Sequence, residues 1–131
     1  MYLLDFGSAV FYKTKIKHTI LTTSGFSPLE QYSERSRQGI YTDIYGLTAT
    51  LYYSLTDVIP IDVSKRVIED RIKNVRVYNK NISLIMSKVI MWGLAVHSKK
   101  RCCSLKFIVF AIYVEKLTNK IMSLFKENYS N

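Results

Sequence analysis

The sequence is poor in the residues that build disulfide frameworks and metal sites. It has two cysteines, Cys102 and Cys103, which are adjacent, and two distant histidines. Neighbouring cysteines do not easily bridge, and two cysteines with two scattered histidines form no metal-ligand pattern. The composition therefore indicates a reducing compartment, and we expect a cytoplasmic protein.

Long apolar runs are also missing. The most apolar stretch, residues 105–114, is about half the roughly 20 residues that a membrane-spanning helix needs. Residues 1–11 lack the basic start and apolar run of a signal peptide. We therefore expect no membrane span.

Acidic residues are scarce in the second half of the chain. Residues 1–65 hold six Lys/Arg and six Asp/Glu, whereas residues 66–131 hold thirteen and four, which accounts for the net charge of +9. A basic half suggests an acidic partner such as nucleic acid, a membrane surface or a phosphoprotein, but a lysine-rich solvated surface is the interpretation that we favour. A nucleic-acid-binding protein, resting on charge alone, is the least favoured hypothesis.

Apolar and aromatic residues, by contrast, are abundant, at 48% and 13% of the 131 residues, enough for one domain with a core. No charge occurs from Ile44 through Thr56. Apolar residues recur there at helical spacing, with a second stripe of tyrosines beside them: Ile40, Ile44, Leu47, Leu51 and Leu55, then Tyr41, Tyr45 and Tyr52. A helix that is apolar nearly all round is typically buried, so residues 39–56 are predicted to form the central helix of a mainly α fold.

Shorter patterns predict the other elements. Residues 2–4 read as a strand, and residues 27–32 as a short helix with Ser27 as its cap and Glu30 in a capping box. Helices are predicted over residues 63–73, over 81–96 with Asn81 as cap, and over 104–126, with a linker at 75–80. We expect Trp92 and Cys102 in the core.

Four stretches share an order and spacing with one protein family. Residues 5–9 read DFGSA, residues 25–32 GFSPLEQY, residues 42–53 TDIYGLTATLYY and residues 93–101 GLAVHSKKR. Together they resemble the C-terminal lobe of bacterial-type serine/threonine protein kinases, whose segments read roughly DFGSA, GYAPPEQY, TDIYALGATLYY and ALxx(D/N)PxxR. The resemblance implies a partial kinase domain: metal motif and activation segment over 1–32, central helix over 39–56, and C-terminal helices over 63–126.

The resemblance also implies roles for individual residues at the start of the chain. Asp5 would bind the Mg²⁺ that bridges the ATP phosphates. Phe6 and Gly7 are the next two residues of the same motif, and Phe6 would pack to set the active arrangement. Thr14, Thr19, Thr22 and Ser24 would be candidate phosphorylation sites of the activation segment, and Thr23 would line the substrate pocket.

Three further residues would be structural. The resemblance implies that Glu30 pairs with Arg101 in a buried ion pair and that Asp43 accepts hydrogen bonds from the backbone of the catalytic loop. Leu29, Thr48 and Ser98 depart from the family, which has proline, glycine and proline there.

The resemblance covers only part of the family's machinery. The phosphate-binding glycine loop, the ATP-holding lysine and the His-Arg-Asp catalytic loop do not occur in the sequence, so we expect a truncated kinase, inactive alone, without the N-terminal lobe. The expected partners are a protein substrate or a companion kinase fragment. The alternative from another class is a non-catalytic, kinase-like interaction module.

Overall fold

The computed structural model describes residues 20–102 and 104–129, with side chains as far as Ser123. Five helices follow one another within this part of the chain, with two short 3₁₀ turns at Leu29–Tyr32 and Ser98–Lys100: α1 Ile40–Thr56, α2 Val63–Ile68, α3 Val75–Tyr78, α4 Leu84–Gly93 and α5 Leu105–Tyr129. The prediction of a mainly helical fold is confirmed. The strand predicted at residues 2–4 lies outside the described residues.

Helix α1 is the element on which the core is built. Its buried residues Tyr45, Ala49 and Tyr52 pack in one cluster with α3, α4 and α5, while Ile44 packs against Cys102 and Ile108. The tyrosine stripe is thus the more deeply buried of the two stripes, because its hydroxyls find partners. Tyr52 Oη donates to the carbonyl of Lys73 at 2.9 Å.

One side of α1 nevertheless remains open to solvent. Ile40, Asp43 and Leu47 are exposed, at positions that share a face of the helix. We call Ile40, Asp43 and Leu47 the α1 outer face.

Helices α1 and α4 cross in very close contact at Thr48 and Gly93. A Cβ at Gly93 would lie 2.9 Å from Thr48 Cβ and closer still to its methyl carbon. The Thr48 hydroxyl is fully buried and donates within α1, towards the carbonyls of Ile44 at 2.8 Å and Tyr45 at 3.0 Å. Because Gly93 has no side chain, the Thr48 side chain of α1 packs directly against the backbone of α4.

The helix predicted over residues 63–73 ends early, at Ile68. The backbone becomes extended at Glu69, with φ −150° and ψ 114°, and the buried Arg66 guanidinium contacts the Asp70 carboxylate at 2.8 and 3.0 Å. The predicted linker at 75–80 is also partly helical, because Asn74 accepts a hydrogen bond from the backbone N–H of Arg76 and caps α3. The periodicity of the sequence indicates neither the early end of α2 nor the presence of α3.

Helix α4 starts three residues after the predicted cap. Ser83, not Asn81, accepts the capping hydrogen bond from the N–H of Met86 at 3.2 Å. The backbone N–H of Ser83 donates to both oxygens of Glu115, at 3.1 and 3.2 Å, and so joins the start of α4 to the middle of α5.

The other end of α4 lies beside the start of α5. Trp92, predicted in the core, is partly exposed and packs at an angle on Phe107, with ring centres 5.4 Å apart. With the Ser83–Glu115 contact, this makes α4 and α5 an antiparallel pair. No helix in the described part of the chain combines the length and the apolar character needed to cross a membrane.

Candidate functional site

Among the described residues, the most extensive polar contact is an ion pair between Glu30 and Arg101, 71 residues apart. Arg101 Nη1 lies 2.6 Å from Glu30 Oε1 and Nη2 lies 3.0 Å from Oε2, a bidentate geometry. The pair is sequestered from water, because Glu30 is 9% and Arg101 4% exposed. The structure thus brings together the two residues whose pairing the family resemblance implied.

Arg101 also holds three backbone carbonyls. Its Nε donates to Ala95 O at 2.7 Å, Nη2 to Val96 O at 2.8 Å and Nη1 to Tyr41 O at 3.1 Å. All five guanidinium N–H groups are therefore used, and the group lies 4.8 Å from the centre of the Tyr45 ring. A lysine could not supply these contacts, since it has three donors and no planar fork.

Glu30 connects this arginine to the first turn of α1. The Thr42 hydroxyl donates to Glu30 Oε1 at 3.0 Å and accepts from the N–H of Gly39 at 3.2 Å. The capping box predicted for Glu30 at Ser27 is wrong: Ser27 Oγ instead accepts from the N–H of Thr23 at 2.9 Å, and Pro28 precedes the 3₁₀ turn. The Glu30 carboxylate binds Arg101 and Thr42 instead of the backbone N–H at the start of its own turn.

The segment before Glu30 is folded into a turn centred on Gly25. The carbonyl of Thr23 accepts from the N–H groups of Phe26 at 3.0 Å and Ser27 at 2.9 Å. Gly25 has φ +81°, and a Cβ there would lie 2.5 Å from the carbonyl oxygen of Pro60. The turn therefore requires glycine, both for its left-handed backbone and for its contact with the loop before α2.

Asp62, the cap of α2, fixes the same segment from the other side. Its Oδ2 accepts from the hydroxyls of Ser24 and Tyr32, each at 2.8 Å, and its Oδ1 accepts from Ser64 N at 2.9 Å and Ser64 Oγ at 2.6 Å. The hydrogen bonds from Ser64, with those from Tyr32 and Ser24, hold the pKa of Asp62 well below its usual range despite partial burial. Burial and the bond to Asp62 raise the pKa of Tyr32 to about 12.

A second buried arginine supports the core below this segment. Arg66 Nη1 donates to the hydroxyl of Tyr45 at 3.3 Å, in addition to its contacts with Asp70. Burial opposes the charge on Arg66, but the bonds to Asp70 and Tyr45 raise its pKa overall, and the Arg66 bonds lower the pKa of Asp70. Tyr45 thus has Arg66 at its hydroxyl and Arg101 at its ring.

The remaining predicted site residues divide into two groups. Thr22, Thr23 and Ser24 are exposed on the turn that Gly25 and Asp62 hold, and Asp43 is exposed in the first turn of α1. Asp5, Phe6, Gly7, Thr14 and Thr19 lie outside the described residues. Within residues 20–102 and 104–129, no group of three or more His, Cys, Asp or Glu residues is placed to hold a metal ion.

Sequence reasoning missed Asp62, Arg66 and Asp70. A signal for Asp62 existed, because an Asp directly before the first residue of an amphipathic run is typical of a helix cap. Nothing local identifies its long-range partners Ser24 and Tyr32.

A comparison with solved structures supports a kinase-like fold. The chain is similar to the solved structure of PpkA-294 in its apo form, a bacterial serine/threonine kinase, with 28% sequence identity and a TM-score of 0.59. The match covers 68% of this chain and 31% of that chain, so the similarity extends over less than a third of the PpkA-294 chain. No family model matches the chain, and no curated protein matches it at a significant level.

Proposed function

We propose that the chain is the C-terminal-lobe part of a bacterial-type serine/threonine protein kinase, whose complete enzyme transfers the γ-phosphate of ATP to Ser or Thr of proteins. The observation that carries the proposal is the buried Glu30–Arg101 pair, which joins two of the four kinase-like stretches in three dimensions. The similarity to PpkA-294 supports the kinase-like fold on which this proposal is built.

The described contacts suit a substrate-facing activation segment. Gly25 and Asp62 fix the backbone around Thr23 and Ser24, while the side chains of Thr22, Thr23 and Ser24 stay exposed. Phosphoryl transfer depends on positioning, and a rigid segment end places a substrate hydroxyl reproducibly. Glu30 also holds the segment in place, because it binds Thr42 of α1 and Arg101.

Asp5 is the residue that would hold Mg²⁺ next to ATP. A carboxylate suits this hard cation, which neutralises the phosphate charge during transfer. This part of the proposal rests on the DFGSA sequence, because Asp5 lies outside the described residues. Of the family's catalytic set, Asp5 is the only residue that the 131 residues contain.

The chain by itself is therefore expected to be inactive. A catalytic loop and a phosphate-binding loop would have to come from sequence outside these 131 residues, in the same polypeptide or in a companion fragment. The α1 outer face, where Asp43 is exposed beside Ile40 and Leu47, is the surface that such a catalytic loop would cover. We also propose that the protein is cytoplasmic, on the basis of its low cysteine content.

A phosphotransfer assay with ATP, Mg²⁺ and a generic basic protein tests both halves of this proposal. The 131-residue chain and its Asp5→Asn variant should both give only the background rate. A longer polypeptide or a fragment pair that includes a His-Arg-Asp loop should transfer phosphate and lose that activity with Asp5→Asn. Transfer by the 131-residue chain alone, or an active complete enzyme insensitive to Asp5→Asn, would refute the corresponding half.

A further inference from the structure

Helix α5 carries an apolar stripe on the side that faces away from the rest of the protein. Ile108, Ala111 and Glu115 are buried against the core and mark its inner side. The opposite side presents four large apolar residues at helical spacing, which we call the α5 outer stripe: Phe110, Tyr113, Leu117 and Ile121. Phe110 is 58% and Tyr113 60% exposed, where a helix of a globular domain normally has polar residues.

The stripe extends into a larger apolar surface. Val109 lies beside it on α5, and Phe107 joins it to Trp92 at the end of α4. Contiguous exposed apolar surface of this kind is typical of an interaction site. The α5 outer stripe is therefore a candidate binding surface.

The charges on α5 indicate the chemistry of the occupant of that surface. Lys106, Lys116 and Lys120 are all exposed on the helix. Glu115, the one acidic residue within 105–123, is turned inward and accepts from the backbone N–H of Ser83 at the start of α4. The exposed side of this part of α5 thus combines apolar and cationic groups without a compensating negative charge.

We propose that α5 lies flat on an anionic phospholipid surface. The α5 outer stripe would enter the boundary between headgroups and acyl chains, while Lys106, Lys116 and Lys120 would extend along the surface to the phosphates. At 25 residues and about 1.5 Å per residue, α5 is long enough to form an extended contact of roughly 37 Å. This inference is independent of the kinase proposal.

A second copy of the chain is the main competing occupant, and the charges oppose it. It would bring the same three lysines to the contact, and each chain already carries a net charge of +9. Like charges across an interface repel, whereas an anionic surface attracts both the helix and the basic second half of the chain.

Vesicle co-sedimentation of the intact chain tests the proposal. The chain should bind vesicles of phosphatidylcholine mixed with phosphatidylserine, bind pure phosphatidylcholine much less, and lose binding as salt rises. The Phe110→Ser/Leu117→Ser and Lys116→Glu/Lys120→Glu variants should each weaken binding about tenfold or more. The control is Val67→Ser/Ile68→Ser, which removes two exposed apolar residues of α2 and should leave binding unchanged.

Circular dichroism and thermal unfolding of each variant separate loss of binding from loss of structure. The substituted residues on α5 are exposed, so the variants should keep the helical content of the parent chain. Equal binding to both vesicle types, equal loss in the α2 control, or no vesicle binding would each overturn the proposal. A concentration-dependent dimer that Phe110→Ser/Leu117→Ser abolishes, without vesicle binding, would assign the stripe to a second copy instead.

Discussion

Replacing Glu30 with Gln should destabilise the protein far more than an ordinary loss of charge. The substitution keeps the side-chain size but leaves the Arg101 guanidinium buried with no opposing charge, although its three carbonyl partners remain. Breaking a buried pair by removing one partner typically costs about 3–5 kcal/mol. Since small domains have a total stability of about 5–15 kcal/mol, Glu30→Gln should remove a large fraction of it.

The chain contains a matched control. Glu69 pairs with Arg71 at 2.6 Å, but on the surface, where their side chains are 62% and 74% exposed. The same substitution there, Glu69→Gln, should cost at most about 1 kcal/mol, because solvent screens exposed pairs.

Urea unfolding followed by circular dichroism gives the free energy of unfolding of each variant. Arg101→Met should cost at least as much as Glu30→Gln, because it also leaves the carbonyls of Ala95, Val96 and Tyr41 without their donor. The double variant should lose less than the sum of the two, by about 1–3 kcal/mol, since the residues contact each other directly. If Glu30→Gln were no more destabilising than Glu69→Gln, the reasoning about the buried pair would be wrong.

Two further predictions concern packing and pH. Gly93→Ala should lower the free energy of unfolding by about 1–3 kcal/mol, because the new Cβ would overlap Thr48. Gly46→Ala is the control, since its Cβ would meet only the carbonyl of Phe26 at 3.9 Å. It should leave the free energy of unfolding unchanged or raise it by up to about 1 kcal/mol. The lowered pKa of Asp62 means that the unfolded chain takes up a proton at higher pH than the folded chain, so this contribution is complete above about pH 4 and is lost as the pH falls below that. Asp62→Asn should therefore lose less stability than the parent chain between about pH 5 and about pH 3 in urea unfolding, and an identical loss in both would contradict the assignment.

Helix α1 could be predicted from the sequence because its signal is local and strong. Its uncharged residues recur at helical spacing, and the observed helix Ile40–Thr56 matches the expectation. Which stripe is buried could not be predicted, because it depends on partners far along the chain. Tyr52 needs the carbonyl of Lys73, and Tyr45 needs Arg66, before burying their hydroxyls becomes favourable.

The end of α2 shows a second limit. Apolar and charged residues continue at helical spacing beyond Ile68, so periodicity favours a longer helix. The backbone instead becomes extended at Glu69, while Arg66 is held by a tertiary contact with the Tyr45 hydroxyl of α1. Tertiary contacts of this kind are not visible in a short window of sequence.

The candidate site was predictable only through resemblance to a family. Nothing in the local sequence around Glu30 indicates Arg101 as its partner, and local reasoning gave Glu30 a capping role that the structure does not show. Asp62 escaped both approaches, although it connects Ser24 and Tyr32 to α2.

We propose above that this stretch belongs to a kinase whose catalytic parts are encoded elsewhere. Reading the DNA upstream of Met1 in all three frames is the most direct test of that proposal. We expect codons for a strand with the ATP-holding lysine and for a His-Arg-Asp loop, in the same frame or a shifted one. Absence of both sequences from the upstream DNA in every frame, and of a companion gene that encodes them, would contradict the proposal.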